Sequence, residues 1–76
     1  MHADLLKRVG EALYGAQWQS PLARDLGVSD RTMRRWAAPE GPPDSIIGEL
    51  LALVRARSTT LGEIAEALER AAAEAA

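Results

Sequence analysis

The stretch from residue 19 to residue 36, QSPLARDLGVSDRTMRRW, decides the fold of this chain. It holds two short helical patterns, over residues 21–26 and 29–36, on either side of Gly27. Glycine readily takes the positive φ that a sharp turn requires. One apolar face would join the two patterns: Leu22, Ala23, Leu26, Val28, Met33 and Trp36. The stretch therefore predicts a helix, a tight turn and a second helix, in the arrangement of a helix-turn-helix.

Local signals predict where these two helices begin and end. Ser20 precedes Pro21, so its hydroxyl is expected to cap helix two, with proline at the first helical position. Ser29 is expected to cap helix three in the same way, with Asp30 favouring the helix dipole. Helix three should end near residue 38, because Pro39 disfavours a helical residue before it.

The remaining chain predicts three more helices. Helix one covers residues 4–14, and Gly15 is expected to end it. Gly10 lies inside this helix and is expected to mark close packing. Trp18, which follows, is interpreted as a core aromatic residue. Helix four starts at residue 44 and is so apolar that it should be the most buried. Residues 58–60 read as a capping cluster before helix five at 61–73. We expect an all-α bundle of about five short helices in a single domain, residues 1–76, with helices four and five at 44–73.

Composition narrows the function classes. The chain has no cysteine and one histidine, His2, so neither a cysteine-based zinc site nor a histidine-rich metal site is expected. It has no credible Ser/His/Asp set and no glycine-rich phosphate loop. We therefore expect no enzyme, no cofactor and no small-molecule ligand. Lack of both a ~20-residue apolar run and a signal-peptide core predicts a cytoplasmic protein without a membrane partner.

Charge is distributed unevenly along the chain. The net charge is −2. Residues 1–38 carry six basic and four acidic side chains, whereas residues 39–76 carry three basic and seven acidic ones. The positive charge thus lies with the stretch 19–36, which weakly favours a nucleic-acid partner.

This stretch resembles the helix-turn-helix of lambda-repressor-like, Cro-type transcriptional regulators. The resemblance covers 18 residues and is carried by Gln19, Leu22-Ala23, Leu26-Gly27-Val28-Ser29, Thr32, Met33 and Trp36. It implies a compact helical domain, often a homodimer on a pseudo-palindromic operator in double-stranded DNA.

The residues themselves also predict DNA contacts. A helix fits the major groove, and arginine can bond guanine O6 and N7 as a fork. Arg31 and Arg35 are the leading base readers; Arg34 could read a base or hold a phosphate, and Asp30 could accept from cytosine or orient an arginine. Polar groups near the two helix starts, and one on helix two, are candidate phosphate contacts: Gln19, Ser20, Thr32 and Arg24.

These features predict a small homodimeric repressor of phage or mobile-element type. Its dimer interface is expected on helices four and five, with Leu61, Ile64 and Leu68 of helix five as the candidate contacts. Half-sites would then lie about one helical turn, ~34 Å, apart. The alternative is a non-enzymatic interaction module, such as an antitoxin-like adaptor, that uses the same fold without reading DNA.

Overall fold

Four α-helices lie within residues 2–75, the part of the chain that the computed structural model describes. They are α1 (Ala3–Tyr14), α2 (Gln19–Leu26), α3 (Asp30–Ala37) and α4 (Ser45–Ala75). No strand occurs within this range. The prediction of an all-α fold is confirmed, whereas the prediction of five helices is wrong.

A three-residue connection joins α2 to α3. Gly27 has φ +73°, and the N–H groups of Gly27 and Val28 donate to the carbonyls of Arg24 and Ala23, at 3.2 and 2.9 Å. These bonds satisfy carbonyls that would otherwise lack partners at the end of α2. Ser29 then caps α3, because its Oγ accepts from the Thr32 N–H at 3.1 Å. The turn at Gly27 and the Ser29 cap are therefore as predicted.

The start of α2 differs from its prediction. The helix begins at Gln19, Trp18 occupies the cap position, and no side chain caps it. Ser20 is therefore the second helical residue and Pro21 the third. Proline is tolerated there because the first N–H groups of a helix have no intrahelical acceptor in any case.

The core lies between α1, α2 and α3, and the first turns of α4 pack on it through Ile46 and Leu50, mainly against α1. Leu6, Leu22 and Met33 are fully buried at its centre. The Trp18 ring lies against Gly10 so closely that a Cβ at Gly10 would stand 2.5 Å from its Cδ2 atom. The other buried members of the core cluster are Ala23, Trp36, Ile46 and Leu50. The predicted close packing at Gly10 and the core position of Trp18 follow from this contact.

The last helix is continuous through the predicted break at residues 58–60. The Thr60 hydroxyl does not cap a new helix but donates back to the Ala56 carbonyl at 3.1 Å, a bond that keeps it inside α4. Of the 31 residues of α4, only Ile46 and Leu50 are buried, so the prediction that helix four would be the most buried is wrong. Residues 58–75 are exposed throughout.

Two regions follow from this burial pattern. We call residues 2–57 the body and residues 58–75 the overhang. The overhang is bare helix about 27 Å long, at 1.5 Å per residue. It gives the molecule principal extents of 51 × 22 × 20 Å. No helix within residues 2–75 has the length and apolar character needed to cross a membrane.

Candidate nucleic-acid interface

One side of α3 is fixed in the core, and the opposite side carries charge. Met33 is fully buried and Trp36 is 8% exposed, which sets the rotation of the helix about its axis. With those two residues inward, four charged residues face solvent: Asp30, Arg31, Arg34 and Arg35. We call these four the outer face of α3. The structure thus brings together all the residues predicted as base readers.

The charges on this outer face are unpaired within residues 2–75. No carboxylate forms an ion pair with Arg31, Arg34 or Arg35, and none of their guanidinium groups donates a hydrogen bond inside this range. Asp30 likewise makes no ion pair, so the interpretation that it orients a neighbouring arginine is not seen here. Three guanidinium groups on a two-turn helix leave a concentrated field of positive charge.

The start of α2 offers a second polar feature. Residues 16–20 line a hollow of about 380 Å³. Gln19 is half-buried and Ser20 exposed, and no side chain caps the free N–H groups of this first turn. An anion could accept from such groups. Arg24 is exposed farther along α2.

Thr32 is partly committed to the structure of α3. Its Oγ1 accepts a hydrogen bond from the Ser29 hydroxyl at 3.0 Å, beside the cap made by its own N–H. The Thr32 hydroxyl still has its own proton to donate. A phosphate contact by Thr32 would therefore use that proton and leave the cap intact.

A three-residue cluster, which the sequence did not predict, ties three helices together. Arg57 on α4 donates through Nη2 to Asp25 Oδ2 at 2.8 Å and to the Tyr14 hydroxyl at 3.3 Å. The Tyr14 hydroxyl in turn donates to Asp25. The Arg57 guanidinium carbon also lies 5.3 Å from the Tyr14 ring centroid, within cation–π range. This Tyr14 cluster neutralises the one carboxylate of α2.

Burial and the neighbouring carboxylate both act on Tyr14. Partial desolvation, the hydrogen bond to Asp25 and the charge of Asp25 raise the pKa of the Tyr14 hydroxyl above its ordinary value, while Arg57 opposes this. The phenol is therefore neutral, and a hydrogen-bond donor, throughout the physiological range.

The residues predicted for a dimer interface lie apart from α3. Leu61, Ile64 and Leu68 are all on the overhang and are 63%, 49% and 64% exposed. No residue of the body covers them, so they remain available to a partner.

Comparisons with protein-family models, with curated protein sequences and with solved structures found no match.

Proposed function

We propose that this protein is a sequence-specific DNA-binding regulator that inserts α3 into the major groove. The observation that carries the proposal is the outer face of α3. Its three arginines have no partner within residues 2–75, and the opposite side of the helix is fixed in the core by Met33 and Trp36. Arginine side chains that extend from a helix of fixed rotation can bond guanine O6 and N7 as a fork. In this proposal α2, the turn at Gly27 and α3 act as a helix-turn-helix.

The individual roles follow from position. Arg31 lies in the first turn of α3 and Arg35 one turn later, so both would point to base edges. Arg34 would read a base or hold a phosphate, and Asp30 would accept from cytosine N4. Around them, phosphates would contact Gln19, Ser20 and Arg24 on α2 and Thr32 in the first turn of α3.

A homodimer on a pseudo-palindromic site would double this contact. Two copies of α3 would enter successive major grooves, with half-sites about 34 Å apart. A bound dimer over a promoter would repress by occluding it.

Selection from random DNA duplexes tests the proposal. We expect one enriched sequence with two-fold symmetry, and an affinity that falls steeply with salt. Arg31→Ala and Arg35→Ala should each weaken binding to that sequence by about 1–3 kcal/mol. Arg70→Ala is the matched control, because it removes the same side chain from the exposed overhang and should leave binding unchanged.

The arginine-to-lysine pair separates base reading from simple charge. Arg31→Lys keeps the charge but loses the fork, so binding to random DNA should persist while the preference for the selected sequence declines. Absence of any enriched sequence would contradict the proposal.

A second candidate is an interaction module that does not read DNA. The excess of acidic side chains in residues 39–76, seven against three basic, favours a basic protein partner for that half. In that case the arginine substitutions on α3 would leave DNA affinity as weak and as unselective as that of the unaltered chain.

A further inference from the structure

An uncharged and, apart from Ser58, apolar seam runs along α4 from Ile47 to Ala75. Its members alternate in steps of four and three residues, the spacing of the inward positions of a coiled coil. None of them is charged. They are Ile47, Leu51, Val54, Ser58, Leu61, Ala65, Leu68, Ala72 and Ala75. The seam therefore joins the body to the overhang on a single face.

Within the body, the same face is the floor of an open groove. The groove has a volume of about 220 Å³ and lies between α1 and α4, lined by Leu5, Val9, Ile47, Leu50, Leu51 and Val54. Every lining residue is apolar. Leu5 is 40% and Leu51 48% exposed, so the groove has the chemistry of a core without the side chains that would fill it.

The surface area of the chain indicates how much is left uncovered. The accessible surface is 5460 Å². A compact monomer of 8.2 kDa would have about 4,500 Å². The radius of gyration is 15.5 Å, against about 11 Å for a compact chain of this length. The excess, on the order of 900 Å², is close to the ~800 Å² that each partner of a stable protein complex buries.

We propose that a second copy of this chain covers the seam, as an antiparallel pair of α4 helices. With the two-fold axis between residues 59 and 60, seam residues pair with one another: Leu51 with Leu68 of the second copy, and Val54 with its Ala65. The overhang of each copy then fills the groove of the other. The seam is thus complementary to itself without any further partner.

The overhang is narrower than the body, and this difference favours an antiparallel arrangement of the two α4 helices. The overhang is a bare helix about 10–12 Å across, whereas the molecule measures 22 × 20 Å across its long axis. A parallel pair would set two bodies at the same level, with α1 of each beside the groove of the other. The antiparallel pair sets each body beside an overhang, where there is room.

Charge argues against DNA or an anionic lipid surface as the occupant. The overhang carries four glutamates and one arginine: Glu63, Glu66, Glu69, Glu74 and Arg70. Such a surface repels polyanions at short range. Since the seam itself is uncharged, a second apolar seam is the better complement.

The pair also fits the proposed DNA-binding function, and this agreement alone depends on that function. Ile46 and Leu50 anchor α4 in each body, about 17 Å along the helix from the two-fold axis. The two bodies are then about 35 Å apart along α4. One turn of B-DNA separates half-sites by ~34 Å.

Sedimentation of the full chain without DNA tests the pair. We expect a dimer, and we expect Ala65→Glu to weaken it more than about 100-fold because it buries an unpaired charge at the seam. Ala67→Glu makes the same chemical change two residues away, on the side of α4 that faces away from the seam, and should leave dimerisation within about threefold. Both positions are exposed in the single copy, so the tryptophan fluorescence of the body should stay unchanged.

Three results would overturn the proposal: a monomer at up to about 100 μM, equal effects of the two glutamates, or a loss of the body fold in Ala65→Glu alone. Because no DNA is present, these outcomes are independent of whether α3 reads a sequence.

A single spin label tests the direction. The chain lacks cysteine, so Ala73→Cys provides one attachment site, on the exposed side of the overhang. The antiparallel pair predicts a label-to-label distance of about 40 Å along the helix. A parallel pair would give about 10–20 Å, and that result would refute the antiparallel register.

Discussion

The body and the overhang contain similar apolar residues, but these residues are buried in the body and exposed in the overhang. In the body, leucines at positions 6 and 22 are completely buried in the core. In the overhang, leucines at positions 61 and 68 are 63% and 64% exposed, although they continue the same helix that anchors the body. Helical periodicity alone therefore does not distinguish a buried core face from an exposed apolar face.

The largest expected contrast comes from truncating one leucine in each region. Leu22→Ala should lower the free energy of unfolding by about 2–5 kcal/mol, because it removes a fully buried side chain and leaves a cavity. Leu68→Ala should leave the body's free energy of unfolding unchanged and alter only its dependence on protein concentration. Denaturant titration followed by the fluorescence of Trp18 and Trp36, at two protein concentrations, measures both. Equal losses at the lower concentration would show that the overhang is part of the core.

A methyl group added at Gly10 should have the next largest effect. The new Cβ would lie 2.5 and 2.9 Å from Cδ2 and Cγ of Trp18. The buried indole must move, so Gly10→Ala should cost about 1–3 kcal/mol of stability. Its near-ultraviolet circular dichroism should change as Trp18 shifts; an unchanged spectrum with unchanged stability would contradict this close packing.

Removing the Tyr14 hydroxyl should have a smaller and pH-dependent effect. Tyr14→Phe should cost about 1 kcal/mol at neutral pH through the lost hydrogen bond to Asp25. The raised pKa of Tyr14 means that folding favours the neutral phenol. This contribution is therefore complete below the ordinary tyrosine pKa of 10.0, and it disappears as the pH rises through the raised value.

Unfolding of the unaltered chain should therefore become easier above pH 10 to a greater extent than unfolding of Tyr14→Phe. Chemical denaturation at pH 7 and at alkaline pH compares the two. Parallel pH profiles would show that the Tyr14 cluster contributes nothing specific.

The smallest effect should have the opposite sign. Gly62 lies in the overhang, and a Cβ there would meet nothing within 4 Å. Gly62→Ala should therefore stabilise the helix by up to about 1 kcal/mol. Slower amide hydrogen exchange over residues 58–75 would record it, whereas faster exchange would reveal a neighbour that this glycine accommodates.

The sequence predicted the body better than the overhang, for a physical reason. The Ser29 cap and the turn at Gly27 depend on atoms within a few residues, and the inward positions of Met33 and Trp36 follow from helical periodicity. Local patterns capture such interactions. The core they define also fixes which side of α3 carries the arginines.

Two features were not predicted correctly: the continuity of α4 through residues 58–60, and the Tyr14 cluster. Both depend on interactions that local sequence signals do not contain. Residues 58–60 looked like a cap, but a hydroxyl in a helix can also donate to the carbonyl four residues before it, as Thr60 does, and no proline forces a break. The Tyr14 cluster joins residues up to 43 positions apart, and its pairing depends on how α4 packs against α1. The sequence shows Tyr14, Asp25 and Arg57, but it does not show that the fold brings these three side chains together.

Because α4 is unbroken, the rotation of the overhang about the helix axis is fixed relative to the body. Each residue of an α-helix turns the chain by about 100°. One residue inserted after Arg57 would therefore swing Leu61, Ile64 and Leu68 away from the line of the groove while leaving the body unaltered. A seven-residue insertion would restore the direction of these side chains and move the overhang about 10 Å farther from the body. The number of residues in one continuous helix thus sets both the direction of the overhang's apolar side chains and their distance from the body.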